Sequence, residues 1–444
     1  MSTHTLARQT VGSPPAATRP AVRVAHGTIR IETVRTLEGL ARHREAWDRL
    51  ATEAPQQIPT LTPVWVEAYF RHALPASQAW LCCFAYAGDR LVGVLPLVPE
   101  PHPLLGRRHP RLRTLRVGDF APSGDIPLAP DVAGAALSAL LGEADRAVPG
   151  HVGVAIQAVH EASPLWEAVR AGVTGYTAHA HARHRYSFVD TTRPLDDYMA
   201  SLGNMRRNLK RYRKKLDAQG PVTVTIGREG AEDPALLDAF LTLEAGGWKG
   251  RNGTAILNHP DTTAFYRTLA RDFAALGRWE WQVIRVDGRP VAAGMGIRCG
   301  RTVMLPKIAF DEDFSAAMPG NLLTEAVARA AFDDPETDAL AHMSSAPWHE
   351  SWRMDAHRYD DLYLVRRTLA ATLFQRPWAG GLAFYKTEIA PRIPARLKQW
   401  RETLRSRRVR TAKEATSAET TSKETTSKGA ASKDAAPENP AAKA

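Results

Sequence analysis

Apolar and polar positions alternate most clearly in the second half of the chain. Residues 279–286 read Trp-Glu-Trp-Gln-Val-Ile-Arg-Val, followed by Asp287-Gly288 and then Arg289-Pro-Val-Ala-Ala-Gly-Met-Gly-Ile-Arg298. Asp-Gly between two β-rich runs predicts a tight hairpin. A second turn at Cys299-Gly300 leads into a third strand ending near Phe310. A polar loop over 311–318 then opens a helix through Pro319-Gly320-Asn321-Leu322-Leu323. The first backbone N–H groups of a helix have no partner within it, and the dipole adds positive potential there. Such an end suits a phosphorylated ligand.

The first half echoes this pattern. Residues 80–87 lead through Gly88-Asp89 to Arg90-Leu-Val-Gly-Val-Leu, in step with the text around Arg289. Each hairpin follows helical text, over 63–70 and 261–276. A matching hairpin at the same place in each half indicates an internal duplication. The halves part after their hairpins. The first continues with a strand expected over 112–117, a proline-interrupted loop from Asp119, and a helix from about Asp131. It has no Pro-Gly-Asn helix start, so only the second half is expected to bind a cofactor. The divisions are an arm (1–27), a first unit (28–190), a second unit (191–366), basic amphipathic helices (367–410) and a low-complexity tail (411–444), the last expected to be disordered.

Helical text over 234–244 ends in Glu244-Ala-Gly246-Gly247-Trp248-Lys249-Gly250-Arg251-Asn252-Gly253, a Gly-rich turn holding a Trp and a Lys. This block resembles the Glu-x-x-x-Trp-Lys-Gly-x-x-Gly segment of the CelD-like and FemAB-like acyltransferases, a divergent double-GNAT group. The order of three strands, loop and anion-binding helix likewise resembles the acyl-CoA core of GNAT enzymes. The resemblance covers 190–365 well and 28–190 more loosely. It implies an α/β fold of two tandem GNAT-like acyl-CoA N-acyltransferase domains, with mixed sheets flanked by helices. It also implies acetyl-CoA, or another acyl-CoA, as co-substrate, held by Lys307, Ile308, Met318, Pro319, Gly320, Asn321 and Leu322. The GNAT motif for that loop is Gln/Arg-x-x-Gly-x-Gly/Ala. Here only the central glycine is kept, with Asn321-Leu322 in place of the rest. Gly320 is expected to leave room where a Cβ would intrude on the pyrophosphate. Trp248 and Lys249 would border the acceptor pocket, and Glu244 would accept the acceptor's proton. The other reading of this block is a helix cap with a packed Trp and an exposed Lys.

Residues 204–216 place Leu209, Tyr212 and Leu216 in one apolar stripe with Leu202 and Met205. Seven basic residues fill the rest of that stretch. Arg206, Arg207 and Lys210 are the candidates for reaching an anionic acceptor, and a solvated basic face is the plainer reading for most of the charges. Residues 341–353 follow a strand expected over 338–343. His342 and Ser345 are candidates to protonate the leaving thiolate or bind acceptor, and a buried, satisfied His342 is the alternative. His342, His349 and His357 lack the spacing of metal ligands, and no metal is expected.

Composition narrows the partners. The net charge is +11, and residues 365–410 supply twelve cations against Glu388 and Glu402. The body is therefore near neutral and no DNA binding is expected. Aromatics among those C-terminal cations suit peripheral membrane contact through 367–410. No apolar run reaches a membrane span. Cys82, Cys83 and Cys299 have neither disulfide nor zinc spacing, which with the lack of a signal segment predicts a cytoplasmic protein, at the inner face of the membrane if 367–410 binds there. Hydrolase, Walker A and Rossmann signatures are missing. The expected activity is N- or O-acylation of an envelope or exopolysaccharide component, the acceptor being an amine or sugar hydroxyl, by direct attack on the thioester. Two rivals stay open. One is FemAB-like transfer from aminoacyl-tRNA to a peptidoglycan precursor, with tRNA on the basic helix. The other is a non-enzymatic envelope- or membrane-binding protein with a degenerate site.

Overall fold

A single twelve-stranded mixed sheet carries both halves of the chain. The computed structural model describes residues 29–375 apart from 229, 231, 232 and 343, together with 377 and 381. The expected arm, most of the basic segment 367–410 and the tail 411–444 lie outside the described residues.

The first half runs β1 (Ile29–Val34), α1 (Leu37–Leu40), α2 (Arg44–Glu53), α3 (Pro63–His72), β2 (Leu81–Ala87), β3 (Arg90–His102), β4 (Gly106–Arg113), α4 (Ala133–Ala147), β5 (Gly153–His160), α5 (Leu165–Arg170) and β6 (Tyr176–Asp190). The second runs α6 (Leu195–Ser201), α7 (Asn204–Asp217), β7 (Val222–Gly227), α8 (Pro234–Gly246), α9 (Trp248–Arg251), α10 (Pro260–Ala275), β8 (Trp279–Val286), β9 (Arg289–Cys299), β10 (Thr302–Phe310), α11 (Pro319–Asp333), β11 (Ala339–His342) and β12 (Asp355–Arg366). Three local expectations change. The strand expected over 112–117 ends at Arg113. The polar loop 311–318 is wound into a 3-10 helix, Glu312–Ala317, because the Asp311 side chain caps the N–H of Asp313. The Gly-rich turn after α8 contains the one-turn helix α9.

Strand order is β1-β2-β3-β4-β5-β12-β6-β11-β10-β9-β8-β7. Each half thus lays five strands from an outer edge inward, and an antiparallel pair, β12 and β6, closes the middle. The last strand of each half pairs with the other half: β6 with β11, and β12 with β5. The two Asp/Gly hairpins occupy equivalent places, one strand in from each edge. Both slip register beside the turn, at Ala85/Tyr86 and at Ile284/Arg285. The aligned arginines are used alike: Arg90 pairs with Asp131 ahead of α4, and Arg289 with Asp311 ahead of α11.

Alternation along the second-half strands defines two faces. Ile284, Ala292, Val303 and Leu340 pack with Leu323 and Val327 of α11. Val283, Ala293 and Met304 pack with Phe240 of α8 and Phe265 and Phe273 of α10. On this second face the halves meet through helices. Trp65 of α3 stands edge-on to Phe265 of α10 at 5.8 Å, and His72 hydrogen bonds Thr268 at 2.9 Å.

Candidate active site

The site is built from a break in the sheet. β10 pairs in parallel with β11 only from Thr302↔Ala339 to Leu305↔His342. Pro306 follows, and the register of β10 against β9 shifts between Met304 and Lys307. Proline has no N–H to give a ladder, so within a sheet it belongs at a bulge or an edge. Beyond it β10 continues to Phe310 along β9 with no β11 beside it. The result is a gap whose mouth is framed by Lys307 and His342. After Phe310 the chain turns away from the gap: Asp311 donates its N–H to Val291 O on β9.

A polar cluster lies on the α10 face of the gap. The Glu244 carboxylate is buried. Its Oε1 accepts from Lys249 Nζ at 2.8 Å, and its Oε2 accepts from the Ile256 N–H at 2.9 Å. Lys249 Nζ also lies 3.4 Å from Ile308 O on the unpaired stretch of β10. Gly250 makes this possible, because a Cβ there would overlap the Ala245 carbonyl oxygen as α9 folds back on α8. Lys307 Nζ sits 5.8 Å from the Tyr266 ring centroid. Burial, and then the nearby Lys249 ammonium, lower the Lys307 pKa, while Glu244 and Asp119 oppose the shift. Tyr266 feels Glu244 and Asp119 too, although burial is the main reason its hydroxyl is pushed well up. Asp119 belongs to the first half, so both halves contribute charge here.

A different chemistry lies on the α11 face. His342 alternates with Leu340 and so points to that side. Burial holds its pKa at about 3, and its Nε2 is buried without a hydrogen-bond partner among the described residues. The His349 ring lies 4.7 Å away, held at about 4 by burial. His349 Nδ1 accepts the Ala346 N–H at 3.2 Å, which places the ring proton on Nε2, a second buried atom without a partner. Both imidazoles are thus neutral, and His349 presents an N–H donor. Close by, α11 starts at Met318, whose φ of 48° is left-handed. That residue gives no side-chain cap, Pro319 fills the first helical position, and the first turn has no acid. An anionic ligand meets no competing carboxylate there. The adjoining Trp352 Nε1 donates to Asn321 Oδ1 at 3.2 Å.

The first half closes the same gap with its own chain. β4 pairs with β5 only at Leu112↔Val154 and Arg113↔Ala155. The chain then returns along β5. Gly124 N–H donates to Gln157 O at 2.8 Å, Ser123 Oγ donates to Ala158 O at 2.7 Å, and Asp125 accepts the His160 N–H at 3.2 Å. Gln56 and Ser163 donate to the same carboxylate. Its burial raises the Asp125 pKa to about 6.

The sequence candidates separate on this geometry. Glu244, Lys249, Lys307 and Ile308 come together, as do His342 and the start of α11. Several expectations are corrected. Glu244 has both oxygens engaged in a buried pair, so it braces Lys249 rather than offering a free carboxylate as base. A Cβ on Gly320 would meet the Phe310 ring at 3.4 Å, an ordinary contact. The backbone N–H groups of Asn321 and Leu322 already donate to Met318 O. His342 is held neutral and so cannot deliver a proton as an imidazolium. Trp248 is 53 % exposed and ties only its backbone N–H to Glu312. Ser345, Arg206, Arg207 and Lys210 are exposed, and Lys210 lines a different groove. Three contributors went unread in the sequence: Asp119, Tyr266 and the donor His349. Pro306 inside a strand run was the available signal for the gap. Among the described residues no group of three or more His, Cys, Asp or Glu could hold a metal ion.

Comparison with known proteins agrees with this geometry. The model of the acetyltransferase (GNAT) domain family matches residues 203–340. A search of curated protein sequences finds no match. Among solved structures the chain is similar to FemX, at 11 % identity and a TM-score of 0.51, over 74 % of this chain and 96 % of that one. It also aligns with the C-terminal domain (DUF2156) of a provisionally named lysylphosphatidylglycerol synthetase from Agrobacterium fabrum, at 10 % identity and a TM-score of 0.46, over 76 % and 96 % of the two chains. A tandem GNAT protein from the clavulanic acid biosynthesis pathway aligns at 12 % identity and 0.39, over 76 % and 98 %. The fold is therefore α/β and GNAT-like, with the family match lying in the half whose sheet is split.

Proposed function

We propose that the second half transfers an acyl group, acetyl in the simplest case, from acyl-CoA to an amine or sugar hydroxyl. The observation that carries this reading is the open gap between β10 and β11, set between an uncapped helix start on one face and the Lys307 cluster on the other. The phosphate end of the co-substrate fits the start of α11, where Gly320 N–H and the dipole face solvent without an acid in the turn. The acceptor enters on the α10 face, between the halves, beside Lys307 and Tyr266.

The acceptor's nitrogen or oxygen attacks the thioester carbonyl carbon and gives up its proton to solvent water at the mouth of the gap. The tetrahedral oxyanion forms beside the unpaired edge of β10, where the backbone N–H groups of Ile308 and Phe310, which alternate with those given to β9, serve as donors. The C–S bond then breaks, and the thiolate leaves on the α11 face, where His349 Nε2–H stabilises it by hydrogen bonding. Glu244 is a positioning residue that fixes Lys249 and the 249–256 loop. The resemblance to CelD-like and FemAB-like enzymes supports an envelope or exopolysaccharide acceptor.

The test is a melting-temperature comparison followed by a thiol-release assay over amino sugars, amines and glycans. All three native cysteines are buried, so they contribute little background to thiol detection. Acetyl-CoA should stabilise the protein, and thiol release should need an acceptor. Stabilisation by aminoacyl-tRNA without any effect of acetyl-CoA would overturn the reading.

A further inference from the structure

A second surface lies three strands away from the gap. It is a groove of about 560 Å³ between α7, the edge strand β7 and the outer side of α11. Its floor is apolar: Leu209, Leu216, Val222, Val224, Ile284 and Leu322. Val224 pairs with Ile284 on the α11 face, yet is 41 % exposed. An edge strand usually blunts its open side with charge or a cover, and here an apolar row is left beside an open edge.

The rim has the opposite character. Arg213 pairs with Asp217 and Arg329 with Glu325, each within its own helix. Lys210 and Lys214, also lining the groove, have no ion-pair partner among the described residues. The exposed face of α7 adds Arg206, Arg207, Arg211 and Lys215 without a matching acid. The groove is lined on this side by Leu322, Glu325, Ala326 and Arg329 of α11, and by no residue of β10 or β11.

We propose that this groove docks an anionic membrane lipid, with the phosphate held between Lys210 and Lys214 and an acyl chain laid on the Val222–Val224 floor. Charge complementarity selects the anion, and the apolar floor selects a lipid over a nucleic acid, whose backbone would leave that floor wet. The consequence is a protein held at a membrane through the α11 face of its sheet, the face opposite the acceptor side.

The experiment uses the full chain with Val224→Cys labelled by a polarity-sensitive fluorophore. The native thiols are buried, which directs the label to position 224. Mixed phosphatidylcholine–phosphatidylglycerol vesicles should shift the emission to the blue, while phosphatidylcholine vesicles and inorganic phosphate should not. Lys210→Glu with Lys214→Glu should weaken vesicle binding by about thirtyfold or more, since each basic residue near an anionic surface is worth about 1 kcal/mol. Both lysines are exposed, so the melting temperature of this variant should match the parent's. Three results would overturn the proposal: anionic vesicles that bind with no shift at 224, a charge-reversed variant that binds undiminished, or a shift produced as strongly by RNA as by lipid.

Discussion

The two halves share a strand order and a hairpin, and they differ at one place. Between β4 and β5 the first half returns its own chain through Ser123, Gly124 and Asp125, which satisfy the β5 backbone. Between β10 and β11 the second half turns its chain outward at Asp311 and leaves the strands apart. A buried backbone needs hydrogen-bond partners. The first half meets that need internally, and the second leaves an edge that Lys249 only partly occupies. The difference separates a unit with its strands joined from a unit with its strands open, and the proposed function places the site in the open one. The swapped strands β6 and β12 bind the two into one sheet.

The largest expected effect tests whether the halves behave as one body. Each half buries imidazoles that burial keeps neutral, the lowest being His151 and His160 in the first and His342 and His349 in the second. Burial holds His342 at about 3 and the other three at about 4. The unfolded chain takes up these protons near pH 6.5 and the folded chain does not, so stability falls as pH drops from about 6.5 toward 4. Asp125, raised to about 6, works the other way, because acid removes a buried charge. Among the described residues His43, His72 and His102 are lowered as well, and they outweigh Glu280 and Asp360, which burial raises, leaving a net loss on the order of several kcal/mol. Thermal melts from pH 7 to 4.5 should show one falling transition. Two separable transitions would break the picture of a fused sheet.

Next in size is Lys307→Met. Lys307 meets the acceptor side of the gap, and its ammonium is disfavoured by burial and by Lys249. Acyl transfer should fall by about 100-fold or more, equivalent to roughly 2.7 kcal/mol of transition-state stabilisation. The melting temperature should hold or rise, since a charge disfavoured by its surroundings has been removed. A variant that keeps kcat/KM would remove Lys307 from the site.

Much of this comparison was legible in the sequence, because it rests on local patterns. Alternation around Asp287-Gly288 gave the hairpin, its echo at Gly88-Asp89 gave the duplication, and Pro319 marked the start of α11. The Trp-Lys-Gly block brought Glu244 and Lys249 forward as candidates, and only the structure shows that they pair with each other. The gap itself depends on where a chain goes after a strand ends, and no periodicity encodes that. Asp119 and Tyr266 are distant in sequence and meet only because α3 packs on α10. That Phe310, ten residues earlier, lies against Gly320 was likewise not legible from local pattern.

Two glycine substitutions sharpen the contrast at smaller scale. In Gly124→Ala the new Cβ would overlap the Leu115 carbonyl oxygen and lie 2.8 Å from Thr114 Oγ1. Backbone cannot give way cheaply there, so a loss of about 2–3 kcal/mol is expected. Acetyl-CoA affinity, which the proposed function assigns to the other half, should stay within about twofold once the protein is folded. A large loss of affinity at full stability would mean that the closed gap also takes part in binding.

The smallest expected effect is that of Gly320→Ala. Its Cβ would meet only the edge of the Phe310 ring at 3.4 Å, a contact that a small ring shift relieves. Replacing glycine inside a helix also lowers the backbone entropy lost on folding, a gain of about 0.5–1 kcal/mol that offsets the crowding. Stability should therefore change by less than about 0.5 kcal/mol, and acetyl-CoA affinity by no more than about twofold. The measurement separates two uses of the same missing Cβ. If the glycine serves the ring, both numbers stay small. If affinity drops by tenfold while the melting temperature holds, the glycine serves the ligand, and the pyrophosphate approaches α11 from the side that Phe310 occupies here.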